Sequence, residues 1–98
     1  MFVKNISNEI PKSFYLYQNY PNPFNPSTNI KYQITNIKLV TLKIFDILGK
    51  EVAILVNEKQ SPGTYEVAFD GSELASGVYF YTLVAGDFKE TKKLILLK

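Results

Sequence analysis

The chain has 98 residues, enough for one domain that buries only about two-thirds of its unfolded surface and leaves no room for a deep cleft. Hydrophobic residues make up 46% of it and aromatics 14%, seven Tyr and seven Phe, which excludes a disordered tail and suits a β-rich globule. The balance of basic over acidic residues is 11 to 9, every base is a lysine, and the net charge of +2 excludes the concentrated, arginine-bearing footprint of a nucleic-acid binder.

Residues 1–12 mix polar and apolar side chains without periodicity, and Pro11 biases its neighbour towards extended backbone, so this stretch reads as a linker leading into a fold over 13–98. It holds no apolar run of the length a secretory signal peptide needs. Nowhere does the chain approach the roughly 20 apolar residues that span a bilayer. From Ser13 on, short β-type runs alternate with turn chemistry every 8 to 12 residues or so, which predicts an all-β antiparallel sandwich or barrel of about seven strands.

The first strand is expected over Ser13 to Tyr17. The second runs from Thr28 to Ile34, with Ile30, Tyr32 and Ile34 alternating against Lys31, Gln33 and Thr35. Between them Pro21, Pro23 and Pro26 fix their own φ, remove three donors and predict an ordered, non-helical crossover. Strand three, Val40 to Asp46, places Val40, Leu42 and Ile44 on one face. Strand four, Glu51 to Asn57, is expected to place Val52, Ile54 and Val56 together. Leu48-Gly49 forms the turn between these two, and Pro62-Gly63 introduces strand five, with Tyr65, Val67 and Phe69 inward. Leu74 to Ser76 reads as a loop or single helical turn ending at Gly77. Strand six then runs from Val78 to Val84, and Gly86-Asp87 closes a hairpin onto strand seven, Phe88 to Leu97.

Neither cysteine nor histidine occurs, which removes disulfides, thiol nucleophiles, thiolate metal sites and the residue most used for acid–base work near neutral pH. Ser and Thr nucleophiles therefore lack a histidine partner, and no catalytic residue, cofactor or metal ligand is assigned. Asp46, Asp70, Glu73 and Asp87 sit near turns, where carboxylates cap free backbone donors more readily than they gather a metal ion. The proline segment contains Pro23-Phe24-Asn25-Pro26, formally a PxxP, with Asn19, Asn22 and Asn25 at a polyproline period. A rigid crossover with Phe24 in the core is the preferred alternative to a groove ligand. Lys92-Lys93-Leu94-Ile95-Leu96-Leu97-Lys98 reads as a final strand with Leu94 and Leu96 buried and the lysines solvated. The same run is the strongest candidate for recognition by a partner, through its edge and its terminal carboxylate.

Four segments stand out together: Tyr20-Pro21-Asn22-Pro23, Asp46-Ile47-Leu48-Gly49-Lys50-Glu51-Val52, Leu74-Ala75-Ser76-Gly77-Val78-Tyr79, and the lysine-rich apolar run Lys92 to Lys98. In that order they resemble the type A C-terminal sorting domain of type IX (Por) secretion cargo, a family related to immunoglobulin-like flagellar hook-capping domains. The resemblance implies an immunoglobulin-like antiparallel β-sandwich without enzymatic activity, carried behind an upstream cargo domain in cis. It further implies recognition by the type IX secretion machinery, processing by a sortase-like peptidase, and export through the periplasm to the cell surface or medium. The chain is then the tail of a larger protein, with residues 1–12 as its linker and with weak homodimerisation through strand edges as a further expectation. An accessory spacer or carbohydrate-binding module is the rival reading, with Tyr15, Tyr17, Tyr79 and Tyr81 as its aromatic strip.

Overall fold

Period-two alternation gives most of this chain strands with one dry and one wet face, and two such sheets close on each other. A computed structural model describes residues 3–98. In chain order the strands are β1 (Val3–Ser7), β2 (Tyr15–Leu16), β3 (Ser27–Ile34), β4 (Lys38–Phe45), β5 (Glu51–Gln60), β6 (Gly63–Asp70), β7 (Gly77–Ala85) and β8 (Phe88–Leu96). One sheet has the order β1-β6-β3-β2 and the other β5-β4-β7-β8, every neighbouring pair antiparallel. This is the immunoglobulin-like β-sandwich, and no helix occurs among the described residues.

The core lies between the sheets. Ile30, Tyr32 and Ile34 from β3 and Tyr65, Val67 and Phe69 from β6 face Val40, Leu42 and Ile44 from β4 and Tyr81, Leu83, Leu94 and Leu96 from β7 and β8, all buried. These inward sets of β3, β4, β6 and β8 are the ones the alternation predicts.

Two elements differ from expectation. Val3–Ser7, inside the expected linker, pairs with β6, Val3 opposite Val67 and Ser7 opposite Thr64; Met1 and Phe2 lie outside the described residues. The strand is mostly exposed, and only Val3 packs against the core, so it lacks the alternation that would reveal it. In β5 the register slips by one residue, from Leu42 opposite Val56 to Lys43 opposite Ile54. This β-bulge turns Leu55 inward beside Val56 and leaves Ile54 half exposed on the outer face, against the expected grouping of Val52, Ile54 and Val56.

Two tyrosines cross between the sheets in opposite senses. The Tyr32 hydroxyl, from β3, donates to Gln60 Oε1 of β5 at 2.8 Å, while its ring stacks on Tyr65 with centroids 5.6 Å apart. Tyr81, from β7, donates to the Tyr17 carbonyl at 2.8 Å and accepts from the Asn19 backbone N–H at 2.8 Å. Burial pushes the Tyr81 hydroxyl up from 10.0 to about 12, and burial drives Tyr32 upward as well. Both therefore favour the protonated form in the folded protein more than in the unfolded chain.

The stability that the Tyr81 hydroxyl confers is complete below pH 10.0 and is lost as pH rises through about 12. Urea unfolding followed from pH 7 to 12 is expected to report this loss as a falling midpoint. Tyr81→Phe should cost about 1–2 kcal/mol at neutral pH, by leaving Asn19 N–H and the Tyr17 carbonyl unpaired, and should flatten the alkaline decline. A variant that keeps the wild-type alkaline slope would remove Tyr81 as its cause.

Candidate functional site

Antiparallel register decides which parts of a distant sequence meet. In the second sheet Phe45 lies opposite Phe80 and Gly77 opposite Leu96, so the turn after β4, the start of β7 and the end of β8 share one end. In the first sheet Ser27 lies opposite Asp70, and Gly71 N–H donates to the Pro26 carbonyl at 2.8 Å. The Phe24 backbone bonds Ile95 and Leu97, which brings the proline segment to that same end. The four singled-out segments, scattered over the chain, thus converge on one end of the sandwich.

The terminal strand is divided by its two faces. Leu94 and Leu96 are fully buried in the core, while Ile95 is half-buried on the outer face and Lys93, Leu97 and Lys98 are exposed. Lys92 is partly covered and pairs with Glu90 at 3.4 Å. Lys98 is held rather than loose: its N–H donates to Ser76 Oγ at 3.0 Å and its ammonium to the Ser72 carbonyl at 2.6 Å.

The outer main-chain edge of this strand is occupied from the Lys93 carbonyl to the Leu97 N–H. The Lys93 carbonyl accepts from Gln18 Nε2 at 2.8 Å, Ile95 N–H donates to Asn22 Oδ1 at 3.0 Å, the Ile95 carbonyl accepts from Phe24 N–H at 2.9 Å, and Leu97 N–H donates to the Phe24 carbonyl at 3.0 Å. The proline segment is itself pinned at both ends. At its root Asn19, buried, donates from Nδ2 to Thr28 Oγ1 at 2.9 Å, and Thr28 Oγ1 donates to the Pro21 carbonyl at 2.8 Å. Further on, Phe24 is buried with its ring 6.0 Å from that of Phe69. Around it Tyr20, Pro21, Asn22 and Pro23 are exposed, Tyr20 by 80%. The crossover with a core-filling Phe24 is what forms, and two of the three asparagines of the polyproline period are anchors, Asn19 buried and Asn22 at the surface.

The other two segments build turns. Asp46 Oδ1 accepts from both Leu48 N–H and Lys50 N–H at 2.9 Å, while Gly49 N–H closes onto the Asp46 carbonyl at 2.9 Å. Gly49 has φ +85, in the left-handed region where a side chain would strain the backbone. Leu74 is part-buried against the core in a loop with no helical turn, and Gly77 opens β7 at φ +154. Val78 points outward, and Tyr79 points inward and donates its hydroxyl to the Ala75 carbonyl at 2.7 Å. Asp70 Oδ1 accepts from Ser72 N–H, and that bond holds its carboxyl below the usual range. Turn capping is thus the observed role of Asp46 and Asp70; Asp87 and Glu73 are exposed.

The aromatic strip of the carbohydrate-binding reading does not assemble. Tyr79 and Tyr81 are core residues, and the Tyr15 and Tyr17 rings meet edge to face at 71°, with Lys31 Nζ 4.4 Å from the Tyr17 centroid. No flat platform for a sugar ring remains there. Alternation alone, which places Tyr65 correctly, also assigns Tyr79 and Tyr81 to the dry face once Leu83 is taken as buried.

Phe24→Ala should destabilise the domain by about 3–5 kcal/mol through the cavity it leaves. It should also raise amide hydrogen exchange at Ile95 and Leu97 beyond the global effect, as their outward partners loosen. Unchanged protection at those two amides, after correction for stability, would mean that the segment does not clasp the strand.

A family model described as the secretion system C-terminal sorting domain matches residues 18–97. No individually curated protein matches the chain. The matched span starts at Gln18, the first residue to bond the terminal strand, and runs through three of the converging segments and the fourth as far as Leu97. On that match the chain belongs to the type IX secretion C-terminal sorting domain family.

Proposed function

We propose that the domain is the address of an exported protein. An upstream cargo domain in cis is delivered by it to the type IX translocon, crosses the outer membrane from the periplasm, and reaches the cell surface or the medium. The domain acts by being bound, without catalysis. The observation that carries this reading is the family match over residues 18–97, which includes the clasped terminal strand.

Recognition is assigned to the run Lys92, Lys93, Leu94, Ile95, Leu96, Leu97 and Lys98, in two roles. Leu94 and Leu96 anchor the strand in the core, and Lys93, Ile95, Leu97 and Lys98 present the readable side chains. Strand addition at the outer edge between Lys93 and Leu97 is disfavoured because the proline segment already fills those bonds. A sortase-like peptidase acts, in this reading, on the N-terminal side, where Asn8 to Ser13 form an exposed connection with Ile10 71% exposed.

A reporter with a signal peptide, fused ahead of the 98-residue chain in a bacterium with a type IX translocon, tests the reading. Deleting Leu94 to Lys98 removes two core leucines, each worth about 2–5 kcal/mol, so its failure to export would reflect unfolding as much as a lost signal. Lys93→Glu with Leu97→Ser alters only exposed side chains, and is expected to keep the melting temperature while cutting export by about tenfold or more. Wild-type export by a folded double variant would show that the terminal side chains are not what the translocon reads.

A further inference from the structure

The outer face of the second sheet is apolar where it approaches the converging end. Phe45 of β4 lies directly opposite Phe80 of β7, and Val78 lies opposite Ile95 of β8. Each alternates with core residues and so points away from the core. Directly after Phe45 comes the β4–β5 turn, with Ile47 71% and Leu48 90% exposed. The turn is not floppy: the Asp46 carboxylate accepts from two of its backbone N–H groups, and Gly49 closes it. A rigid turn thus holds two large apolar side chains in water, beside a row of cross-strand aromatic and branched residues. The arrangement exceeds the scatter of single exposed apolar residues normal to any surface.

Charge around this patch is one-sided. Lys50 in the turn and Lys93 opposite Phe80 make no ion pair among the described residues. Of the carboxylates beside the patch, Glu51 is taken by Lys43 at 3.3 Å and Asp46 by two backbone N–H groups of the turn, which leaves the unpaired charge basic. A second copy docking by a two-fold axis would bring these lysines against each other. A bilayer is a poor occupant as well, because Phe45, Phe80, Val78 and Ile95 are half-buried in the sheet face and only Ile47 and Leu48, at its margin, are largely exposed.

We propose that Ile47, Leu48, Phe45, Phe80, Val78 and Ile95 form one docking face for a protein partner, apolar at its centre and rimmed by carboxylates. This deepens the sorting reading and rests on it: the partner surface belongs to the translocon, and the exposed part of the terminal strand is the margin of a larger face. The β4–β5 turn is the far margin, and most of the recognition surface lies outside the last strand.

The test uses the same reporter with Ile47→Ser and Leu48→Ser together, and separately with Lys50→Glu. Both alter exposed groups, and melting temperatures are expected to stay within a few degrees of wild type. As a control, Ile37→Ser with Leu39→Ser removes comparably exposed apolar groups at the opposite end of β4. The proposal expects about a tenfold or greater loss of export for the turn variants and none for the control. Normal export of the turn variants, with loss for Lys93→Glu/Leu97→Ser, overturns this docking face and leaves the sorting reading standing. A wild-type fusion that stays in the periplasm of a host able to export its own sorting domains overturns both. Sedimentation of the purified 98-residue chain as a dimer that Leu48→Ser dissociates assigns the face to a second copy. Flotation with anionic phosphatidylglycerol vesicles, lost on the same substitution, assigns it to lipid. Either of these last two results also overturns the proposal.

Discussion

An edge strand carries a row of unpaired N–H and C=O groups that must be hydrogen-bonded by something. In this domain β8 is one of the edge strands, and a segment some 70 residues away in sequence meets the requirement from Lys93 to Leu97 through Gln18, Asn22 and both backbone groups of Phe24. The prolines keep the pairing from spreading. Pro21, Pro23 and Pro26 bring no N–H, so the cap offers few donors on its own outer side and the ladder stops with it. Covered in this way, β8 keeps Leu94 and Leu96 inside and turns Lys93 and Ile95 outward in a fixed register. The chemistry of the terminus is set by the cover over it.

A sandwich of this size without disulfides relies on its interior to resist sliding of one sheet over the other. Apolar contacts are non-directional and give little resistance to a shift of register. The tyrosine hydroxyls supply direction: Tyr32 ties β3 to the end of β5, and Tyr81 ties β7 to the chain between β2 and the proline segment. No buried side-chain polar atom is left without a partner among the described residues, so these bonds cost no orphaned groups. Tyr81 also links the two halves of the design, because the Asn19 that it orients is the root of the cap over β8.

Much of this architecture is legible in the sequence, and the reasons separate cleanly. Ile30-Lys31-Tyr32-Gln33-Ile34 and Tyr65-Glu66-Val67-Ala68-Phe69 spell out strands because each has one buried face, and burial is what writes alternation. Val3–Ser7 cannot be read this way, since its place is set by the free edge of β6 and by Val3 alone reaching the core. Alternation assigns Ile54 to the wrong face because a bulge shifts phase without leaving a composition signal. The terminal run reads correctly as part buried and part solvated. The cover over its edge is beyond a linear reading, because the bond from Asn22 to Ile95 joins residues with no local relation. The convergence of four segments at one end is likewise a property of register, visible only once the strands are paired.

The strand at the beginning of the chain has a kinetic side. Between Ser7 and Phe14 the polypeptide is a single, largely exposed connection, whereas Val3 to Ser7 are annealed to β6 along a short ladder with one irregularity. Severing that connection would not by itself part the two pieces. The covalent tether would become a non-covalent one, and the lifetime of a five-residue strand in its seat, rather than the cut, would time the departure of whatever is fused ahead of it.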